Sequence, residues 1–212
     1  RIMKVLMATD GSREATVAVR TAIRMLRPGD VNVDLLCVAP GFPGAGRRTG
    51  NRRVPRVLRE ITHILEHARA NIPLPHSAVN LLAEAGSAAG VIVSKAEDYD
   101  LTVIGPKGGR RLGGSDTPSG GALGLGPVAS RVVEHATSPV LIARDLQGAP
   151  DLQGGGIRVL VAVDGSSASL HAVETLAGLF DMSAAEVCLM HVAETPWIEL
   201  GPEEDWITYS EE

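Results

Sequence analysis

Nine of the 22 residues from Gly105 to Gly126 are glycine, and the segment joins a short apolar run, Leu101 to Ile104, to a helical period that begins after Pro127. Glycine at that density is unsuited to a core element and allows a ligand to approach the backbone closely. The order strand, glycine loop, helix, strand delivers backbone N–H groups and the positive end of a helix to one point. That combination favours an anion, most often a phosphate. A second candidate is Asp10, in the turn Asp10-Gly11-Ser12 directly after another apolar run. Its carboxylate can cap the next helix or shape the turn, or it can meet a ligand at the carboxyl edge of a sheet. Gly105 and Gly108 carry the same two readings, strand-end turn or ligand approach. The residues from Arg110 to Leu125 are either an insertion without a task or a flap over the site.

Other groupings carry less. His63, Glu66 and His67 spell HxxEH, and a helix would place both histidines on one face, as a metal pair requires. The apolar period of that helix runs through Ile61, Ile64, Leu65 and Ala68, which leaves the histidines outside it, and no third ligand is identifiable. No metal site is expected. Arg47, Arg48, Arg52, Arg53, Arg56 and Arg59 form a basic stretch, but an acidic chain with 3% aromatic residues does not read as a nucleic-acid binder. No Ser-His-Asp or Cys-His arrangement follows from spacing. Cys37 and Cys188 lie in strand-like apolar runs and are expected to be buried, reduced thiols.

The elements that position the glycine loop follow from periodicity. Met3 to Ala8 reads as a buried parallel strand, followed by a helix with Ala15, Ala18, Val19, Ala22 and Leu26 inward and a second strand from Val31 to Val38. A helix with Val57, Leu58, Ile61, Ile64, Leu65 and Ala68 on one side comes next, then a strand from Ala78 to Ala85 and a helix from Ala88 to Ala96. The strand before the glycine loop begins after Asp100. Beyond the loop, Val128, Val132, Val133 and Ala136 set a helical period, and Pro139 to Ala143 is the fifth strand. Five strands alternating with four helices predict an α/β fold, a doubly wound parallel sheet with helices on both faces.

After a Gly-rich linker at 145–156, the chain repeats itself. IRVLVAVDGSSASLHAVETLAGLFDMSAAEVCLMHVAE aligns without gaps on residues 3–40, so that Asp10, Gly11 and Ser12 fall on Asp164, Gly165 and Ser166. The repeat covers one βαβ unit, and an acidic tail with Trp197, Trp206 and Tyr209 follows. A lone βαβ unit cannot bury both faces of its sheet, so it must dock on another surface or the chain is a fragment. The net charge of -5 is divided unevenly: residues 151–212 hold one Lys or Arg against twelve Asp or Glu. The basic stretch Arg47 to Arg59 is then either a solvated loop or a partner of the acidic tail from Glu194 to Glu212, within a chain or between chains. No apolar run approaches the ~20 residues of a membrane span, and no secretory signal is recognisable, so a cytoplasmic protein is expected.

VLMATDGS at the first strand, LLCVAP at the second, DLTVIGPKG at the fourth and GPVASRVVEHATSPVLIAR at the last helix and strand together resemble the universal stress protein family. The resemblance covers about residues 3–144, and again about 157–193 as an incomplete second repeat, the tandem type. It implies a flavodoxin-like domain over 1–144, a linker over 145–156 and a partial second domain over 157–212. It further implies a homodimer, and in one branch bound ATP or another adenine nucleotide without established catalysis. In that branch a residue like Asp10 lies near adenine and ribose, backbone at Val38 and Ala39 meets the base, and a motif of Gly, two residues, Gly, nine residues, Gly and Ser or Thr holds the phosphates. Gly105 and Gly108 match its first half. Gly126 follows after 17 residues rather than nine, and Pro127 replaces the hydroxyl residue. The candidate nucleotide-binding set is thus Asp10, Gly11, Val38, Ala39, Gly105, Gly108, Gly126, Pro127 and Val128. The resemblance implies a stress-response nucleotide-binding signalling protein and no enzyme; the alternative is a nucleotide-free module for dimerisation and partner docking.

Overall fold

The computed structural model describes residues 2–26, 31–40, 53–108, 124–144, 158–180, 182 and 185–192. Five strands, β1 (Met3–Ala8), β2 (Val31–Pro40), β3 (Val79–Gly86), β4 (Leu101–Ile104) and β5 (Val140–Ile142), form one parallel sheet in the order β3-β2-β1-β4-β5. The central strands are buried on both faces, as their unbroken aliphatic runs require; all four residues of β4 are buried, whereas β5 at the edge is only half-buried. This is the doubly wound, flavodoxin-like arrangement expected from the sequence.

Helices α1 (Arg13–Met25) and α2 (Arg53–Ala70) cover one face, and α3 (Ala88–Ala96) and α4 (Pro127–His135) the other. On the first face Ala18, Val19 and Ala22 of α1 and Ile61, Ile64, Leu65 and Ala68 of α2 pack on Val5, Met7, Val33, Leu35 and Cys37. On the second, Ala89 and Ile92 of α3 and Ala129 and Val132 of α4 pack on Leu6, Leu36 and Ile104. Two helix phases differ from expectation. Leu58 of α2 and Val128 and Val133 of α4 are exposed, and Ala129 takes the inward position. Bounds differ slightly as well. β2 continues to Pro40 because its pairing with β3 runs on to Gly86, and a 3-10 turn over His76–Ala78 delays β3 to Val79.

The second repeat forms β6 (Arg158–Val163), α5 (Ser167–Leu179) and β7 (Glu186–His191), with a two-stranded parallel sheet of its own. It docks where the first repeat ends its first helix. Phe180 is buried in the cluster under α1 and α2, with Leu176, Leu179 and Met182 against it, and makes an antiparallel bridge to Leu26. The offset that carries Asp10 to Asp164 also carries Leu26 to Phe180, and each caps the carboxyl end of its helix. Equivalent residues therefore pair with each other, the arrangement a pseudo-twofold axis produces. Cys188 does not follow expectation: it is exposed, because no described element covers its side of β7. No described helix is long and apolar enough to cross a membrane.

Candidate functional site

The chain leaves β1 toward α1 on one face of the sheet and leaves the adjacent β4 toward α4 on the other. Neighbouring strands whose connections part in this way open a crevice at their carboxyl ends. The residues singled out from the sequence meet there.

Asp10 sits on the α1 side. Its Oδ1 accepts the Ser12 N–H at 2.9 Å, Ser12 caps α1 by accepting the Ala15 N–H on Oγ at 3.2 Å, and the Thr9 hydroxyl accepts the Gly11 N–H at 3.2 Å. Gly11 has φ +76°, which a side chain rarely adopts. A Cβ there would also stand 2.9 Å from Cγ1 of Ile64, so α2 closes down on this turn. From the β4 side the glycine segment meets the same carboxylate. A Cβ at Gly108 would lie 2.8 Å from Asp10 Oδ2, so the backbone at 108 comes close to that oxygen, and a side chain there would make the carboxylate shift. Gly105 packs on the backbone of Glu14 and Ala15, and the Gly126 N–H donates to the Pro106 carbonyl at 2.8 Å, which clips the two ends of the long loop together.

At the start of α4, Gly126 is the cap residue and offers no side chain, and Pro127, exposed at the first helical position, offers no N–H. With the Gly126 N–H engaged, the N–H groups of Val128 and Ala129 remain without a partner among the described residues. On the other flank, β1 pairs with β2 only as far as Ala8 opposite Leu36, and the Thr9 N–H closes on the Leu36 carbonyl at 2.8 Å. Backbone groups of alternate strand residues point the same way, so Val38 turns its N–H and C=O to the side from which Leu36 bonds β1. Its neighbour Ala39 has its methyl in the core. Thr9, Ile64 and Ala129 were not legible as contributors: Thr9 and Ala129 are small residues without a motif, and Ile64 reaches the turn from a distant helix.

Two of the weaker groupings, the histidine pair and Cys37, are placed clearly. His63 and His67 stack with ring centroids 6.5 Å apart on the exposed face of α2, and no group of three metal-ligating side chains exists among the described residues. Of the basic stretch, Arg47 to Arg56 lies outside the described residues or has undescribed side chains, as does the tail from Glu194 onward. Burial pushes the Cys37 thiol up to about 11, with the Asp10 and Glu60 carboxylates adding to it. A thiol so raised stays protonated at neutral pH and is no nucleophile. A thiol-reactive dye at pH 7.5 is therefore expected to modify Cys188 alone in the native chain and Cys37 only after unfolding; mass spectrometry of the labelled peptides checks this.

The second repeat reproduces the aspartate turn. Asp164 Oδ1 accepts the Ser166 N–H at 2.9 Å, Ser166 Oγ accepts the Ser169 N–H at 3.2 Å, and Gly165 has φ +80°. Hydrogen bonds from the Ser166 side chain and backbone, with help from Ser169, hold the Asp164 carboxyl down at about 2. No described glycine segment stands against this second carboxylate.

An open parallel sheet with the strand order β3-β2-β1-β4-β5 defines the doubly wound α/β class. A model of the universal stress protein family matches residues 1–144 and 157–212, and the chain belongs to that family. Solved structures agree on the fold. A universal stress protein from Archaeoglobus fulgidus DSM 4304 superposes with a TM-score of 0.53 at 19% identity, over 94% of this chain and 69% of its own. The hypothetical protein MJ0577 gives a TM-score of 0.53 at 20% identity, over 67% of this chain and 95% of its own. A universal stress protein solved in complex with cAMP gives 0.50 at 20% identity, over 67% and 97%. No curated protein matches the chain.

Proposed function

We propose that this chain binds an adenine nucleotide in the crevice between β1 and β4. The carrying observation is the convergence of the Asp10 carboxylate, the glycine backbone at 108 and the open N–H groups of Val128 and Ala129 on one crevice. In this reading Val38 and Ala39 border the base, Asp10 and Gly11 the ribose, and Gly105, Gly108, Gly126, Pro127 and Val128 the phosphates, which N–H groups and the α4 dipole hold. The cAMP complex of a structural relative supports the adenine class.

The output we propose is a ligand-dependent change of loop conformation or assembly in a cytoplasmic stress response, without turnover. The division into a domain at 1–144, a linker at 145–156 and an incomplete second domain at 157–212 of tandem type belongs to the same proposal, as do a homodimer and the contact of the acidic tail with the Arg47–Arg59 stretch. Isothermal titration with ATP, ADP and cyclic AMP tests it. Saturable heat from at least one is expected, and silence from all three at high protein concentration removes the claim. Steady phosphate release that disappears in Asp10→Ala would overturn the non-catalytic part.

One observation favours a second reading, a nucleotide-free docking module. The start of α4 has lost two donors, since Pro127 has no N–H and the Gly126 N–H already serves Pro106.

A further inference from the structure

Each of the four residues that leave β4 is held against another part of the crevice. Gly105 packs on α1, where a Cβ would stand 3.4 Å from backbone atoms of Glu14 and Ala15, and the Pro106 carbonyl accepts the Gly126 N–H at 2.8 Å. The Cα of Lys107 lies 3.4 Å from the place of a Cβ on Gly126, and the backbone at 108 comes close to Asp10 Oδ2. The main chain of Lys107 is thereby fixed between the starts of α1 and α4, with its side chain exposed. It forms no ion pair among the described residues. The other two lysines lie elsewhere: Lys4 near the amino end of β1, and Lys95 on α3, paired with Glu84 at 2.9 Å.

The charge balance of the crevice gives this lysine a task. A phosphate brought here has the Asp10 carboxylate on one side. On the other, Gly126 and Pro127 contribute no donor, which leaves the N–H groups of Val128 and Ala129. Like charges a few ångströms apart near a protein surface repel by more than a neutral donor returns, so a cation is needed to offset the carboxylate. An ammonium on a flexible four-carbon stem meets that need, since it binds phosphate as a point charge with three donors. Recognition by charge rather than by a fixed set of hydrogen bonds strengthens with the charge of the ligand.

We propose that Lys107 is the phosphate-binding cation of this crevice and that it selects a nucleoside polyphosphate over a monophosphate; the proposal rests on the nucleotide reading above. Calorimetric titration of the full chain and of Lys107→Met, Lys107→Arg and Lys4→Met with ATP, AMP, adenosine and tripolyphosphate tests it. The native chain should bind ATP more tightly than AMP. Lys107→Met should weaken ATP and tripolyphosphate by about ten- to a hundredfold and leave adenosine unchanged, and Lys107→Arg should recover most of the loss. Lys4→Met removes the same charge at the opposite end of β1 and should change nothing. Added salt should weaken ATP binding to the native chain more than to Lys107→Met. Lys107 is exposed, so the fold should survive each change, as far-UV circular dichroism checks. Equal ATP affinity in the native chain and Lys107→Met overturns the proposal while the adenine reading stands. Equal losses for ATP and adenosine, or for Lys107→Met and Lys4→Met, also overturn it, as does a native chain that binds AMP as tightly as ATP. Tripolyphosphate binding that needs Lys107, with no response to ATP, AMP or adenosine, removes the adenine reading and the selection of a nucleotide and keeps the phosphate role. Silence from all four ligands removes both.

Discussion

Leu6→Ala is expected to lower the unfolding free energy by about 2–5 kcal/mol, and Leu160→Ala, the same substitution at the corresponding position of the repeat, to change it by no more than ~0.5 kcal/mol. Leu6 is fully buried among Leu36, Ile104, Ala129 and Val132, so removing three carbons loses their transfer free energy and leaves a cavity that the α3–α4 layer cannot fill by relaxing. Leu160 lies in water on a strand of the same sequence pattern, and its truncation takes little from the folded state that the unfolded chain did not also have. Urea denaturation of both variants followed by circular dichroism measures the difference. Comparable costs at the two positions would show that the outer face of β6 is covered in solution.

The contrast between these leucines also explains what could be read from the sequence. Short apolar runs identified β1 and β4 as strands, and Ala15, Ala18, Val19 and Ala22 gave α1 its inward face, because in each case local pattern and tertiary burial agree. Pattern failed where burial depends on what lies above an element. Cys188 sits in a run as apolar as that of Cys37, yet one is exposed and the other fully buried, since nothing in EVCLMH says whether a helix will cover it. On α4 only part of the valine pattern matches the buried face: Ala129 and Val132 face inward, and Val128 and Val133 turn out.

The candidate site divides along the same line. The aspartate turn is local chemistry, encoded in three residues, and it recurs at Asp164-Gly165-Ser166 with the same hydrogen bonds although no counterpart of β4 or α4 stands beside it among the described residues. The approach of Gly108 to Asp10 is tertiary, since it depends on the path of a segment nearly a hundred residues away, and glycine content alone could not place it. A half-site therefore arises wherever the turn is written, and only the first repeat brings the other half to it among the described residues.

Pro127→Ser is expected to tighten nucleotide binding by about ten- to a hundredfold, and the junction between the glycine segment and α4 is where the two functional readings part. The native start of α4 has an engaged N–H at Gly126, none at Pro127, and N–H groups at Val128 and Ala129 that have no partner among the described residues. Serine restores an N–H and adds a hydroxyl at the helix end where an anion is favoured. A hydrogen bond to a charged group contributes about 1.5–3 kcal/mol, which is one to two decades in affinity. The fold should tolerate the change, because residue 127 is exposed and the lost rigidity of proline costs only about 0.4–1 kcal/mol. Calorimetric titration of both proteins with ATP separates the cases. Binding by the native chain that tightens in the variant places the phosphates at α4 and supports the nucleotide reading. Binding that exists only in the variant assigns the native chain to the docking-module reading. An unchanged affinity means that the phosphates do not reach α4 and that the backbone at Gly105 and Gly108 carries them without it.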